Sequence, residues 1–197
     1  MSASPTSLPT AVAAEAAGRR VAIVGGGPAG LMAAEVLSQS GADVDLYDAM
    51  PSVGRKFLLA GRGGLNLTHA EAPKIFLTRY GVRQAEIGRW LAEFGPAQLR
   101  AWASGLGIDT FVGSSGRVFP AEMKAAPLLR AWLHRLREHG VSFHARHRWR
   151  GWMPDGRSLR FLAPGGELAV TADACLLALG GGSWARLGSD GAWVPLL

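Results

Sequence analysis

Three glycines, Gly25, Gly27 and Gly30, stand in the pattern G-x-G-x-x-G, and an acid, Asp48, follows eighteen residues after the last of them. Between a strand and a helix, this pattern suits phosphate binding. Gly25 allows a tight turn, Gly27 lets a pyrophosphate approach the backbone, and Gly30 lets the helix pack against the strand. The helix N-terminus adds free N–H groups and the positive end of its dipole. A carboxylate closing the second strand accepts hydrogen bonds from ribose hydroxyls and repels a 2′-phosphate. Asp48 therefore favours FAD or NAD over NADP.

A second chemical stretch, PSVGRKFLLAGRGGLNLTH, runs from Pro51 to His69. Arg55, Lys56 and Arg62 place cations beside the expected pyrophosphate site. Gly61, Gly63 and Gly64 would let backbone lie against a flat ring or a phosphate. Asn66 and Thr68 are polar without charge. Leu58, Leu59, Leu65 and Leu67 hold too much apolar surface for a freely solvated loop. Later, the apolar run Ala174–Leu179 leads directly into Gly180, Gly181 and Gly182, so a second strand ends in glycines. No Ser-His-acid set appears. The spacings His134/His139 and His144/His147 fit no common zinc pattern, and no metal is expected. His69, beside the glycine-rich stretch, is the one histidine to test as an acid or base. No catalytic residue is named.

These residues need elements to position them. Val21–Val24 is a short buried strand and Pro28 suits the first turn of a helix. That helix runs to about Ser40, with Gly41 as its stop. Val44–Tyr47 is a second strand, parallel to the first. Residues 51 to 70 read as a functional loop. Helices are expected over Gln84–Phe94, Pro96–Ser104 and Pro127–His139. In the last, Leu129, Trp132, Leu133 and Leu136 form one apolar face, which is core. Val141–Phe143 is a further strand. A meander follows, with turns at Pro154-Asp155-Gly156 and Pro164-Gly165-Gly166.

Composition sets limits. The chain has 197 residues, 48% of them hydrophobic, enough for one domain with a real core. No apolar run is long enough to span a bilayer, so no membrane partner is expected. Residues 1–19 are small and polar and read as a disordered tail rather than a signal peptide. Residues 20–197 form the domain, with a helical insertion around 71–139. The lone cysteine, Cys175, rules out an intrachain disulfide, is compatible with a cytoplasmic protein, and reads as a small core residue. The charge is +6, and eight arginines fall between Arg130 and Arg160. A solvated face or a field for a diphosphate explains them better than a nucleic-acid groove.

Taken together, GGGPAG at 25–30, Asp48, GRK at 54–56, GGLNLT at 63–68 and LGGGSWARLGSDG at 179–191 resemble a family. It comprises bacterial NAD(P)/FAD-dependent flavoproteins of the BaiN type. Three positions depart from its pattern: an Arg-Cys pair is replaced by Gly64-Leu65, and the usual glutamate by Asp48. The resemblance implies a Rossmann-like α/β fold holding extended FAD. It places Gly25, Gly27, Pro28, Ala29 and Gly30 at the pyrophosphate and Asp48 at the adenosine ribose. Arg55 and Lys56 would lie near the phosphates, and Gly63, Gly64 and Asn66 near the flavin. Trp149 would offer backbone groups to the adenine, and Leu179, Gly180 and Gly181 would close the second half of the site. Family members are about twice as long, so the chain is expected to be the N-terminal half of such a protein, with the fold incomplete at its C-terminus.

The implied reaction is hydride transfer between NAD(P)H, FAD and a small organic substrate. Competing readings are a flavin-dependent RNA-modifying enzyme, an inactive remnant that binds no cofactor, and a plain NAD-binding module. The second glycine strand argues against the last. Substrate, nicotinamide preference and oligomeric state are not encoded in any motif.

Overall fold

The structure, a computed structural model, describes residues 15–188 and 190–197. In chain order the elements are β1 (Arg20–Val24), α1 (Pro28–Gln39), β2 (Asp43–Asp48), α2 (Arg55–Ala60), β3 (Thr68–His69), α3 (Pro73–Thr78), α4 (Gln84–Glu93), α5 (Pro96–Gly105), β4 (Thr110–Val112), β5 (Arg117–Pro120), α6 (Ala125–Glu138), β6 (Ser142–Ala145), β7 (Arg148–Trp152), β8 (Leu159–Ala163), β9 (Gly166–Val170) and β10 (Ala174–Leu177). They fall into two compact units. Leu58–Leu133 form the smaller, and residues 15–57 with His134–Leu197 the larger.

The larger unit is an α/β layer built on a parallel sheet of order β10-β1-β2-β6. β1 (RVAIV) and β2 (DVDLYD) are buried at nearly every position after the first. That pattern suits strands inside a parallel sheet. α1 connects them. Pro28 opens it, where its missing N–H costs nothing, and Gly41 ends it at φ +82°. Gly18 donates to the Gly41 carbonyl (2.9 Å), and Asp43 to that of Arg19 (2.9 Å). Most of the expected tail, residues 1–14, lies outside the described residues. An antiparallel meander, β7-β8-β9, follows β6. Ala22, Val24, Tyr47, Trp149, Leu159, Phe161 and Val170 form one buried cluster joining the parallel sheet to the meander. Burying a ring such as Phe161 contributes about 1.5–3 kcal/mol.

The smaller unit has an antiparallel sheet of order β3-β5-β4 beside α3, α4 and α5. Its core includes Val118, Ala103, Leu128 and Trp132, all nearly fully buried. Trp102 meets Trp132 edge-on at 4.8 Å. α6 starts in this unit and its last turn belongs to the larger one. Its buried residues are Ala125, Leu128, Leu129, Trp132 and Leu136, while Leu133 of the expected face is half-buried.

Three stretches differ from the sequence reading. Residues 51–70 are not a loop throughout: RKFLLA folds as α2, a 3₁₀ turn spans Gly61–Gly63, and Thr68–His69 pair with β5. RKFLLA contains no helix breaker, and the glycines that flank it hid its helix propensity. The stretch 71–139 also carries two strands, β4 and β5, and a short helix, α3. β10 stops at Leu177, two residues early, because the chain then bends into the glycine cluster, with Gly180 at φ +70°.

Candidate functional site

β1 ends at Val24 and the chain turns at Gly25, whose φ is +111°. A Cβ on Gly25 would lie 2.3 Å from the Ala178 carbonyl oxygen, and one on Gly30 would lie 1.9 Å from the Gly25 carbonyl oxygen. Packing alone therefore requires both glycines. Gly27 is different. Its φ is −80° and nothing lies within 4 Å of where a Cβ would stand. Its bareness serves no contact inside the chain and leaves the N-terminus of α1 open. Gly26, which sequence reasoning passed over, is also required: a Cβ there would come within 2.3 Å of Val53 and 2.8 Å of Asp48. The loop is held by Gly25 donating to the Tyr47 carbonyl and Gly54 donating to that of Gly26, both at 2.8 Å.

Asp48 closes β2. Its Oδ2 accepts the Gly26 N–H and its Oδ1 the Met50 N–H, each at 2.7 Å. Burial pushes its carboxyl above the ordinary value. The two backbone donors and the charges of Arg55 and Arg148 oppose that shift without cancelling it. Each oxygen keeps acceptor capacity for one more donor.

A cleft of about 350 Å³ opens where β1, β2 and β10 end. In open parallel sheets, ligands sit at the carboxyl ends of the strands. Of the residues singled out from sequence, Gly25, Gly27, Asp48, Arg55, Lys56, Trp149, Leu179 and Gly180 line it together. Pro28, Ala29 and Gly30 form the first turn of α1, the first two exposed and Gly30 buried. Gly181 follows Gly180 and is exposed. Lys56 donates to Ser183 at 3.0 Å, tying α2 to the glycine cluster. Gly63, Gly64 and Asn66 belong to the smaller unit. There Gly64 has φ +122° with a would-be Cβ 2.8 Å from Met123, Leu65 donates to the Met123 carbonyl at 2.8 Å, and Asn66 is exposed.

Sequence reasoning missed Tyr47, His147, Arg148, Arg160 and Trp193, which also line the cleft. The alternation of Arg146, Arg148 and Arg150 in RHRWR was a signal for Arg148: β-strand periodicity sends alternate side chains to one face. Nothing local marks Trp193.

The cleft is positive. Arg55, Lys56, Arg148, Arg150 and Arg160 line it against two carboxylates, Asp48 and Asp190. Arg148 reaches Asp190 at 3.4 Å. Around the cleft, four buried donor atoms have no hydrogen-bond partner among the described residues: Arg55 Nε, Trp149 Nε1, Arg160 Nε and Trp193 Nε1. All four residues line this cleft. Leaving such a group unsatisfied costs about 1–3 kcal/mol, so a set of them around one cleft fits a ligand rich in acceptors.

Both nitrogens of His69 are engaged. Nε2 donates to the Ser115 carbonyl (3.0 Å) and Nδ1 accepts the Glu71 N–H (3.3 Å). Among the described residues, no group of three or more His, Cys, Asp or Glu is placed to hold a metal, and no helix is long and apolar enough to cross a membrane.

The architecture recurs in solved structures. The chain superposes on a 3-ketosteroid-Δ4-(5α)-dehydrogenase from Rhodococcus jostii RHA1 with a TM-score of 0.63 at 17% identity, covering 83% of this chain and 46% of that one. It superposes on a flavocytochrome c3 fumarate reductase with a TM-score of 0.61 at 19% identity, covering 84% and 34%. For THI4 from Thermovibrio ammonificans the values are 0.51, 20%, 82% and 57%. The chain thus spans about half or less of the first two, and at these identities the likeness concerns the fold. No curated protein sequence matches the chain. From residue 19 to residue 197 the sequence matches the HI0933-like protein Rossmann domain, and the chain belongs to that family.

Proposed function

We propose that the cleft binds FAD and that the chain is part of an FAD-dependent oxidoreductase of the BaiN type, with NAD(P)H as electron donor and a small organic molecule as substrate. The observation that carries this reading is the cleft's donor set. Open backbone at Gly27, five cations and four unpartnered buried N–H donors meet an acidic residue at the end of the second strand. A dinucleotide presents phosphate and base acceptors to the first groups and ribose hydroxyl donors to the last.

FAD, when bound, supplies hydride transfer. The chain's part is to bind, orient and shield it. Gly25, Gly27, Pro28, Ala29 and Gly30 present the N-terminus of α1 to the pyrophosphate. Arg55 and Lys56 neutralise phosphate charge, and Asp48 accepts from the ribose. Trp149, Leu179, Gly180 and Gly181 form the remaining wall. Gly63, Gly64 and Asn66, by resemblance, serve the flavin ring. A positive cleft also raises the local concentration of an anionic cofactor.

The test is the visible absorption spectrum of the purified chain with and without added FAD, after removal of free flavin. Retained flavin bands, bleached by NADH or NADPH without oxygen, are expected. A colourless protein after incubation with excess FAD defeats the proposal.

A further inference from the structure

Resting on the dinucleotide reading above, we infer that Arg160 and Trp193 are ligand-binding residues, donating Arg160 Nε and Trp193 Nε1 to acceptors on the adenosine diphosphate portion of the ligand. Neither belongs to the glycine loop or to the acid that ends β2. They come from β8 and from the segment after the second glycine cluster.

Both donors are buried atoms without a partner among the described residues, and both residues line the cleft that Gly27 and Asp48 line. Both are also held in place. Arg160 donates from its NH2 nitrogen to the Arg150 carbonyl at 3.0 Å, which fixes the plane of the guanidinium and so the direction of Nε–H. Trp193 packs against the apolar cluster of Val24, Trp149 and Phe161. Its segment is pinned on either side: Ala192 donates to Asp190 at 3.1 Å, Asp190 pairs with Arg148 at 3.4 Å, and Leu196 donates to the Trp193 carbonyl at 2.9 Å. Donors fixed before the ligand arrives lose little freedom on binding. A phosphate oxygen or a ring nitrogen of adenine can accept from either. A neutral apolar ligand would leave both unsatisfied.

The probe is ADP itself, titrated into the full chain and its variants by isothermal titration calorimetry. Trp193→Phe keeps the packing and removes the donor. Arg160→Lys keeps the charge and removes the guanidinium. Each is expected to weaken binding about fivefold or more, the ratio that follows from one lost hydrogen bond of about 1 kcal/mol. Trp90→Phe, an exposed tryptophan in the smaller unit, is the control and should bind as wild type. Near-ultraviolet circular dichroism checks that each variant stays folded. Wild-type binding with both variants within twofold of it overturns this inference and leaves the dinucleotide reading standing. If wild type binds neither the probe nor FAD, the dinucleotide reading itself falls.

Discussion

The carboxylate of Asp48 accepts the Gly26 N–H at 2.7 Å, so the residue that would hold a ribose also clamps the loop that would hold the phosphates. Removing the side chain abolishes both tasks, and changing its chemistry touches both to measurable extents. Asparagine keeps one oxygen acceptor and replaces the other with a donor, which would face either the Gly26 or the Met50 N–H. Asp48→Asn should lower stability by about 1–3 kcal/mol, the cost of one unsatisfied buried donor. FAD affinity should fall about tenfold or more, since a charged acceptor is lost. Urea unfolding and flavin titration read the two effects. Unchanged stability with lost affinity would mean that the clamp contributes nothing.

The glycines separate packing from binding. Gly25→Ala and Gly30→Ala each drive a Cβ into backbone carbonyl oxygen and should cost about 1–3 kcal/mol or more. Gly27→Ala meets open space in a backbone conformation that alanine accepts, so its stability should stay within about 0.5 kcal/mol of wild type. Its flavin retention should nevertheless be lost. Thermal melts and absorption spectra of the three variants test this. A Gly27→Ala protein that melts early, or one that keeps its flavin, contradicts the assignment of Gly27 to the ligand.

Much of this was legible in the chain before folding. The β1-α1-β2 unit follows from a β-branched run, a glycine break, Pro28 and Gly41, all local signals. Gly25 and Gly30 are required for the reasons the motif gives. What local pattern could not reveal comes from residues far apart in sequence. Arg160 and Trp193 enter the cleft because the meander and the segment after Gly188 pack on the cluster around Phe161, a tertiary fact. Gly26 looked like the free position of the motif, yet Val53 and Asp48 crowd it from more than twenty residues away. The helix at Arg55–Ala60 was hidden for a different reason: six residues carry too little periodicity to outweigh flanking glycines.

Glu35 is almost fully buried on α1 and pairs with Arg135, in the last turns of α6, at 2.5 Å. A buried carboxylate deprived of its partner is worse than no carboxylate at all. Arg135→Met alone should therefore cost about 1–3 kcal/mol. The double variant Glu35→Leu with Arg135→Met should be more stable than Arg135→Met alone, because the stranded charge is gone. Chemical denaturation of the single and double variants measures the coupling. Strictly additive losses would show that the two residues do not act as a pair.

Asp155 governs a pH dependence with a defined direction. It sits in the β7–β8 turn and accepts three hydrogen bonds, from the Ser158 hydroxyl (2.6 Å), the Arg157 N–H (2.9 Å) and the Ser158 N–H (2.8 Å). The Ser158 hydroxyl, then those two backbone donors, hold its carboxyl down at about 2, below the ordinary 3.8. The folded state thus favours the ionised form. Its stabilising contribution is fully present above 3.8 and disappears as pH falls toward about 2. Melting temperatures of wild type and Asp155→Asn should differ most near neutral pH, with wild type higher, and converge between about pH 4 and pH 2. A gap that stays constant across that range would show that the turn's stability does not depend on the charge of Asp155.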